Sequence, residues 1–241
     1  MEWSDEGIVV AARPHGETAA VVELLTRHHG RHSGLVHGGR SRAMRPILQV
    51  GNHVTATWRA RTTDQLGMFR LEAGTAYSAS AFADPLALAA LAAMTDLVRL
   101  LPERDPHANL FEITHFVLGY LDDRDVWPAL YVRWELALLD ELGFGLDLTS
   151  CAATGTHDNL IYVSPKSGRA VSEEAGAPYA DRLLRLPPFL RRGDHRKTEL
   201  SDVRDGLLLS GHFLAARAFR PDGRDLPEPR VRLLQRFEKV L

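Results

Sequence analysis

The chain has 241 residues, a formal net charge of −2, 45% hydrophobic and 25% charged side chains, and a single cysteine, Cys151. That is the balance of a globular protein with a core of its own, long enough for one or two domains. One thiol excludes an internal disulfide and a thiolate-rich metal site, and Asp96, Arg99 and Arg133 interrupt the best candidates for a membrane span. The acidic start MEWSDEGIVV lacks the basic, then apolar, segment of a leader, so the expected compartment is the cytoplasm.

The charge is unevenly spread. No acid occurs between Glu23 and Asp64, whereas Arg27, Arg31, Arg40, Arg42, Arg45, Arg59 and Arg61 all fall there, with His28, His29, His32, His37 and His53 among them. A chain of slight net negative charge that gathers cations into its first third carries the electrostatic footprint of a phosphate-backbone binder. For any one of these arginines, a solvated charged face is the plainer account.

In chain order, Gly7–Arg13 is expected as a first strand, ended by the turn Pro14-His15-Gly16, and Thr18–Thr26 as a second. Gly30 and Gly34 punctuate the way into a third near Leu35-Val36, closed by Gly38-Gly39. From Val54 to Arg61 the pattern has a strict period of two: Val54, Ala56, Trp58 and Ala60 inward, Thr55, Thr57, Arg59 and Arg61 outward. Met68–Ala73 repeats it, with Phe69, Leu71 and Ala73 inward and Arg70 and Glu72 outward. Five short strands with turn signals between them suit a small closed barrel of the OB type. Arg40, Arg42 and Arg45 then fall in a flexible, glycine-led loop that can follow a single strand, with Arg59 and Arg61 on an outer face. Trp58 and Phe69 are expected in the core rather than as base-stacking platforms, which points to charge-led, sequence-tolerant binding.

From Asp84 the texture turns helical. Asp84-Pro85 is an N-cap followed by proline at the first helical position, and Leu86, Leu91, Met94, Leu97, Val98 and Leu101 form the apolar stripe that Pro102 stops. Asp105-Pro106 repeats the start signal, and a third helix begins near Trp127-Pro128 and ends at Gly143. The boundary between a first domain, 1–78, and a second, 79–241, is placed in YSASAFAD. Within the second, 146–176 reads as an insert of two short strands, Leu160–Val163 and Arg169–Ser172, joined by a turn at Ser164–Gly168. Helix is expected again at Tyr179–Leu186 and from Ser201 onward, and a last helix at Arg230–Leu241 buries Val231, Leu234, Phe237 and Val240-Leu241. The fold class is α+β.

Catalytic signatures are missing. The sequence contains no GxSxG, HExxH, GxGxxG or P-loop pattern. His15-Gly16-Glu17 matches half of a zinc-deaminase signature whose Pro-Cys-x-x-Cys is absent. His28, His29 and His32 have near-helical spacing but glycines around them and no local carboxylate, so they are expected as surface groups adding partial charge. His115 is expected as a packed residue, and Cys151 as a structural thiol. No catalytic site, metal or cofactor is expected; the reading is of a binding protein.

At this point the residues resemble a known family. Arg13 with Glu17-Thr18, then Thr26 to Gly30-Arg31, then Gly38-Gly39-Arg40-Ser41-Arg42 are similar to the opening of the bacterial RecO recombination mediators. The likeness continues at Leu48-Gln49 and Val54, at Arg133–Leu139 with Leu142-Gly143-Phe144-Gly145, and in the closing Leu226–Phe237 segment. The resemblance implies an N-terminal OB fold joined to a helical domain, binding and annealing of single- and double-stranded DNA, and work with RecR. It also implies contact with the C-terminal tail of single-stranded DNA-binding protein. Arg13, Arg27, Arg31, Arg40, Arg42, Arg45, Arg59 and Arg61 are the expected DNA contacts. For the acidic, apolar tail, Arg133 with Leu130 and Trp134 is the candidate, an intrahelical Arg–Glu pair being the alternative for Arg133. Many relatives hold zinc with four cysteines in the insert; here Cys151 matches the first position, but Thr154 and the region of Ala170 and Glu173 replace the others, so a metal-free insert is expected, with Lys166 and Arg169 on its turn. Rival readings are an adaptor for RecR that does not touch DNA, and a metal-dependent hydrolase built on His15, Glu17 and the histidine group.

Overall fold

The protein is described from a computed structural model covering residues 1–194 and 196–240. It divides into two compact units, Met1–Asp122 and Asp123–Leu241.

The first unit is built on a closed barrel of five strands in the order β1-β2-β3-β5-β4, as the alternating patterns anticipate. Its strands are β1 (Glu2–His15), β2 (Ala19–Thr26), β3 (Gly30–Val36), β4 (His53–Arg59) and β5 (Met68–Ala73). Strand β1 starts five residues before the expected Gly7, because it must pair twice. Glu2–Ile8 lie antiparallel to β4, while Gly7–His15 lie antiparallel to β2. A register shift between Val9 and Ala11 turns the strand from one neighbour to the other, the usual work of a bulge in a small barrel. The polar start of β1 carries little strand signal of its own, so only the pairing with β4 reveals it.

Val9, Val22, Leu24, Val36, Val54, Ala56, Trp58 and Phe69 fill the barrel. Trp58 is buried as expected and donates its indole N–H to the Leu66 carbonyl at 3.0 Å, which satisfies its one polar atom. Ala73, expected inward, is exposed because β5 ends there, and Arg61 lies beyond the end of β4 rather than on it. At Gly30, φ is +66° and an added Cβ would stand 2.2 Å from the Asp105 carbonyl oxygen, so this turn accepts only glycine.

Helices complete the unit. The segment expected as a boundary holds a short helix, α1 (Tyr77–Phe82), tied to the barrel by the Ser78 N–H donating to Asn52 Oδ1 at 3.0 Å. Helix α2 (Pro85–Val98) is capped as its sequence predicts, Asp84 accepting from the Leu86 N–H at 2.9 Å. Helix α3 (Ala108–Leu118) starts later than Asp105-Pro106 suggests, with His107 at the N-cap.

The second unit begins with α4 (Trp127–Glu141). The insert follows: β6 (Leu160–Val163), β7 (Ala170–Ser172), the short helix α5 (Glu173–Gly176) and β8 (Leu184–Arg185). The expected hairpin is therefore a three-stranded sheet, order β7-β6-β8, and the expected helix at 179–186 is a 3-10 segment, Ala177–Arg182, followed by that third strand. Helix α6 (Leu200–Phe213) runs on as a π-helical stretch to Phe219, and α7 (Glu228–Glu238) closes the unit.

The buried stripe of α7 differs from the expected one. It is Arg230, Leu233 and Phe237, while Val231 and Val240 are exposed and Leu234 is half-buried; Leu241 lies outside the described residues. A buried carboxylate decides this. Glu135 of α4 is wholly buried and takes the Arg230 guanidinium, which also donates to the Leu207 carbonyl of α6 at 2.6 Å. Tyr131 Oη–H donates to Glu135 at 2.8 Å, and Ser210 Oγ–H donates to its other oxygen. Burial together with the Glu135 charge pushes the Tyr131 phenol well above its ordinary range. One ion pair with hydrogen-bonded flanks thus binds α4, α6 and α7 together.

Candidate nucleic-acid interface

The eight expected arginines separate into three kinds. Arg27 and Arg31 are structural. Arg27 pairs with Glu6 at 2.8 Å and Glu112 at 3.0 Å and lies 5.2 Å over the Phe111 ring. Arg31 is bound to the buried Glu23 and donates to the Leu101 carbonyl at 3.1 Å, and Arg99 holds the other Glu23 oxygen at 3.1 Å. Arg59 is exposed but pairs with its cross-strand neighbour Glu2 at 2.7 Å. Arg13, Arg40, Arg42, Arg45 and Arg61 are exposed and form no ion pair among the described residues.

Three of these converge. Arg13 at the end of β1 and Arg40 and Arg45 of the β3–β4 loop line a groove of about 360 Å³ whose other lining residues include Pro14, Leu48 and Gln49 but no acid. Hydrogen bonds anchor the loop expected to be flexible at both of its ends. Gly51 N–H donates to the Val9 carbonyl at 2.8 Å, and Asn52 Nδ2 donates to Pro46 O at 2.8 Å. At its start, Arg40 N–H donates to Thr18 O at 3.0 Å and its guanidinium to Gly16 O at 2.9 Å. Between these anchors, the 41–48 stretch is wound into turns by Arg45 N–H to Ser41 O and Leu48 N–H to Met44 O. A hydrogen-bonded backbone beneath an acid-free groove lowers the ordering cost of meeting an anionic chain. Arg42 projects from the same loop.

Of the histidine group, His28 is exposed as expected, His29 is half-buried and His32 is buried. A carboxylate distant in sequence, Asp5 of β1, receives the first two: Asp5 accepts the His28 N–H at 2.7 Å and approaches the ring nitrogens of His28 at 3.1 Å and His29 at 2.9 Å. Burial alone would raise the Asp5 carboxyl; the hydrogen bonds from His29, His28 and the Glu6 N–H outweigh it and hold the pKa below the usual carboxylate range. His32 is buried against Trp3, Trp58 and Phe69, and burial lowers its pKa. His15 and Glu17 are exposed at the β1–β2 turn, and His115 meets the Tyr77 hydroxyl at 2.9 Å. Among the described residues, no group of His, Cys, Asp or Glu could hold a metal ion.

In the second unit, Arg133 is exposed on α4 and donates to the Phe189 carbonyl, not to Glu135, whose cation is Arg230. Leu130 is half-buried. Trp134 is completely buried, so it offers no surface to a partner. In the insert, Arg169 pairs with Asp147 at 3.4 Å, and Lys166 is exposed on the turn. Cys151 accepts from the Ser172 N–H at 3.3 Å and the Ser172 hydroxyl at 3.4 Å. Burial pushes this thiol up, but the Ser172 and Thr154 hydroxyls and the backbone N–H groups of both outweigh it and bring it to about 6. One thiol among hydroxyls and amides does not fit a zinc ion; hydrogen bonds occupy the place of metal bonds. Arg70, outward on β5 and exposed, is a further cation of the barrel; the alternation of β5 marks it in the sequence, with Glu72 two residues on.

With this geometry in view, similarity to known proteins decides the family. Residues 1–73 match the family described as Recombination protein O N terminal, and residues 83–226 match Recombination protein O C terminal. This chain belongs to the RecO family. The DNA repair protein RecO of a Methylorubrum extorquens strain is 53% identical over 239 residues, 97% of each chain. That of Rhodospirillum centenum is 53% identical over 243 residues, covering 100% of this chain and 96% of the relative, and that of Mesorhizobium japonicum 48% identical over 239 residues, covering 99% and 94%. The relatives are named for DNA repair and not for a reaction. Among the described residues, no helix is long and apolar enough to cross a membrane.

Proposed function

We propose that the barrel, taken as a domain spanning 1–78, binds single- and double-stranded DNA through phosphate contacts at Arg13, Arg40, Arg42 and Arg45, and that residues 79–241 serve partner proteins. The observation that carries this is the groove in which three unpaired arginines converge with no acid among its lining residues. Guanidinium charge laid along the backbones of two strands lowers their mutual repulsion and speeds annealing; no bond is broken and no nucleotide consumed. Acting with RecR, the protein loads recombinase onto DNA coated with single-stranded DNA-binding protein, in the cytoplasm and on the nucleoid when bound. Arg133 beside Leu130 is the cation assigned to that protein's acidic tail, with Trp134 supporting α4 from the core. Arg27 and Arg31 drop out of the contact set because their charge is already neutralised within the fold.

Fluorescence anisotropy with labelled single-stranded DNA across a salt series tests this. Four neutralised phosphates give a log–log salt slope of about −2.8, and Arg13→Ala/Arg40→Ala/Arg45→Ala removes about 2 from it, at roughly −0.7 per contact on a single strand. Equal slopes for the wild type and the triple variant would move the DNA site off this groove. No salt-dependent binding by the wild type would leave an adaptor that does not touch DNA.

A further inference from the structure

A second groove, of about 550 Å³, opens on the barrel beside the loop that carries Arg40 and Arg45. Its character is opposite to that of the arginine groove. Met68 is 47% exposed, which is unusual for a large apolar side chain on a strand, and its sulfur lies 3.2 Å from His37 Nε2. Half-buried Met44 adds apolar surface beside them. Its charges balance, Arg59 and Arg70 against Glu2 and Glu72, and the Arg59–Glu2 pair is closed at 2.7 Å. A free phosphate gains nothing there, while a flat, neutral, polarisable ring gains contact with thioether and imidazole.

The two grooves share one loop. His37 and Met44 face the neutral groove; Arg40 and Arg45 face the cationic one. Met44 and Arg45 are consecutive, so their Cα atoms stand only about 3.8 Å apart. A groove whose charged lining residues are all arginines, sharing a loop with one whose charges balance, matches a polymer with an anionic backbone and neutral side groups. We propose that this neutral groove is a base subsite, in which His37 and Met68 receive unstacked bases of a single strand while its phosphates lie against Arg40 and Arg45. A duplex keeps its bases stacked and paired, so it uses the cationic groove alone. This deepens, and rests on, the DNA-binding reading above.

The test compares three probes on the full-length protein: an oligothymidylate, an abasic oligonucleotide of the same length, and a duplex. Wild type binds the oligothymidylate more tightly than the abasic strand. His37→Ala/Met68→Ala weakens oligothymidylate binding about fivefold to tenfold and leaves the abasic strand, the duplex and the salt slope unchanged. Both side chains are exposed, and an unaltered thermal unfolding midpoint verifies that the variant is folded. Equal wild-type affinity for thymidylate and abasic strands, or a variant that loses the three probes equally or none of them, overturns the base subsite while the arginine groove stands. Failure of wild type to bind any probe at low salt removes the DNA-binding reading, and this proposal with it.

Discussion

Replacing Arg230 with methionine isolates the ion pair on which the second unit is centred. Methionine fills comparable space in the slot between α4 and α6 but brings no charge and no donor. Glu135 then keeps only the hydroxyls of Tyr131 and Ser210, and its carboxylate stays wholly buried. Two unit charges about 4 Å apart at an effective dielectric constant near 20 attract by about 4 kcal/mol. Breaking one side of a buried pair costs ~3–5 kcal/mol by mutational experience, which agrees. Urea unfolding monitored by tryptophan fluorescence, with Trp127 and Trp134 reporting from α4, should register this loss for Arg230→Met, and the thermal midpoint should fall by roughly 10–20 °C. Glu135→Met/Arg230→Met, which removes both charges, should recover most of the loss. A single variant costing less than about 1 kcal/mol, or a double variant no better than the single, would refute the claim that the pair decides which face of α7 is buried.

Arg31 and Arg42 should behave oppositely. Arg31→Ala uncovers the buried Glu23 and costs ~1–3 kcal/mol in denaturant unfolding, whereas Arg42→Ala stays within about 0.5 kcal/mol and reports only in DNA affinity. The first unit should lose stability as pH falls below the ordinary histidine value. Burial lowers His32 and His53 in the fold, so above about 6.5 they are neutral in both states, and below it the unfolded chain takes the proton first. Unfolding midpoints between about pH 7 and 5 should decline, and His32→Phe should flatten the decline; an unchanged slope would refute the assignment. Asp5 acts in a separate, more acidic window: its lowered pKa contributes stability above about pH 4 that disappears as pH falls through the folded value, and Asp5→Asn should remove that part of the acid transition. Thiolate absorbance of Cys151 should rise with a midpoint of about 6 in the native protein, and Ser172→Ala should move it up; a native midpoint above about 8 would exclude the hydrogen-bonded thiolate.

Much of the barrel was legible because β4 and β5 bury one face and wet the other. Period-two alternation is a one-dimensional signal, and Val54 to Arg59 and Met68 to Leu71 carry it plainly. Asp84-Pro85 was legible for a similar reason, since capping acts over two or three residues. Strand β8 and the start of β1 were not, because both exist through partners distant in sequence. The same divide runs through the candidate site. That cations crowd the first third is plain from the order of residues. Which of them are available depends on Glu6, Glu23 and Glu112, which lie outside the acid-free run yet reach Arg27 and Arg31 across the fold.

By itself, then, the sequence determined the strand and helix patterns, the excess of positive charge near the start and the family likeness, all written in local spacing and composition. Only the tertiary structure decided which charges are neutralised, that Asp5 gathers His28 and His29, that Arg230 rather than Val231 enters the core, and that Arg13 meets Arg40 and Arg45 in one groove. Each of these is a pairing of groups far apart along the chain. Their energies depend on distance and burial in space, and neither quantity is carried by the order of residues alone.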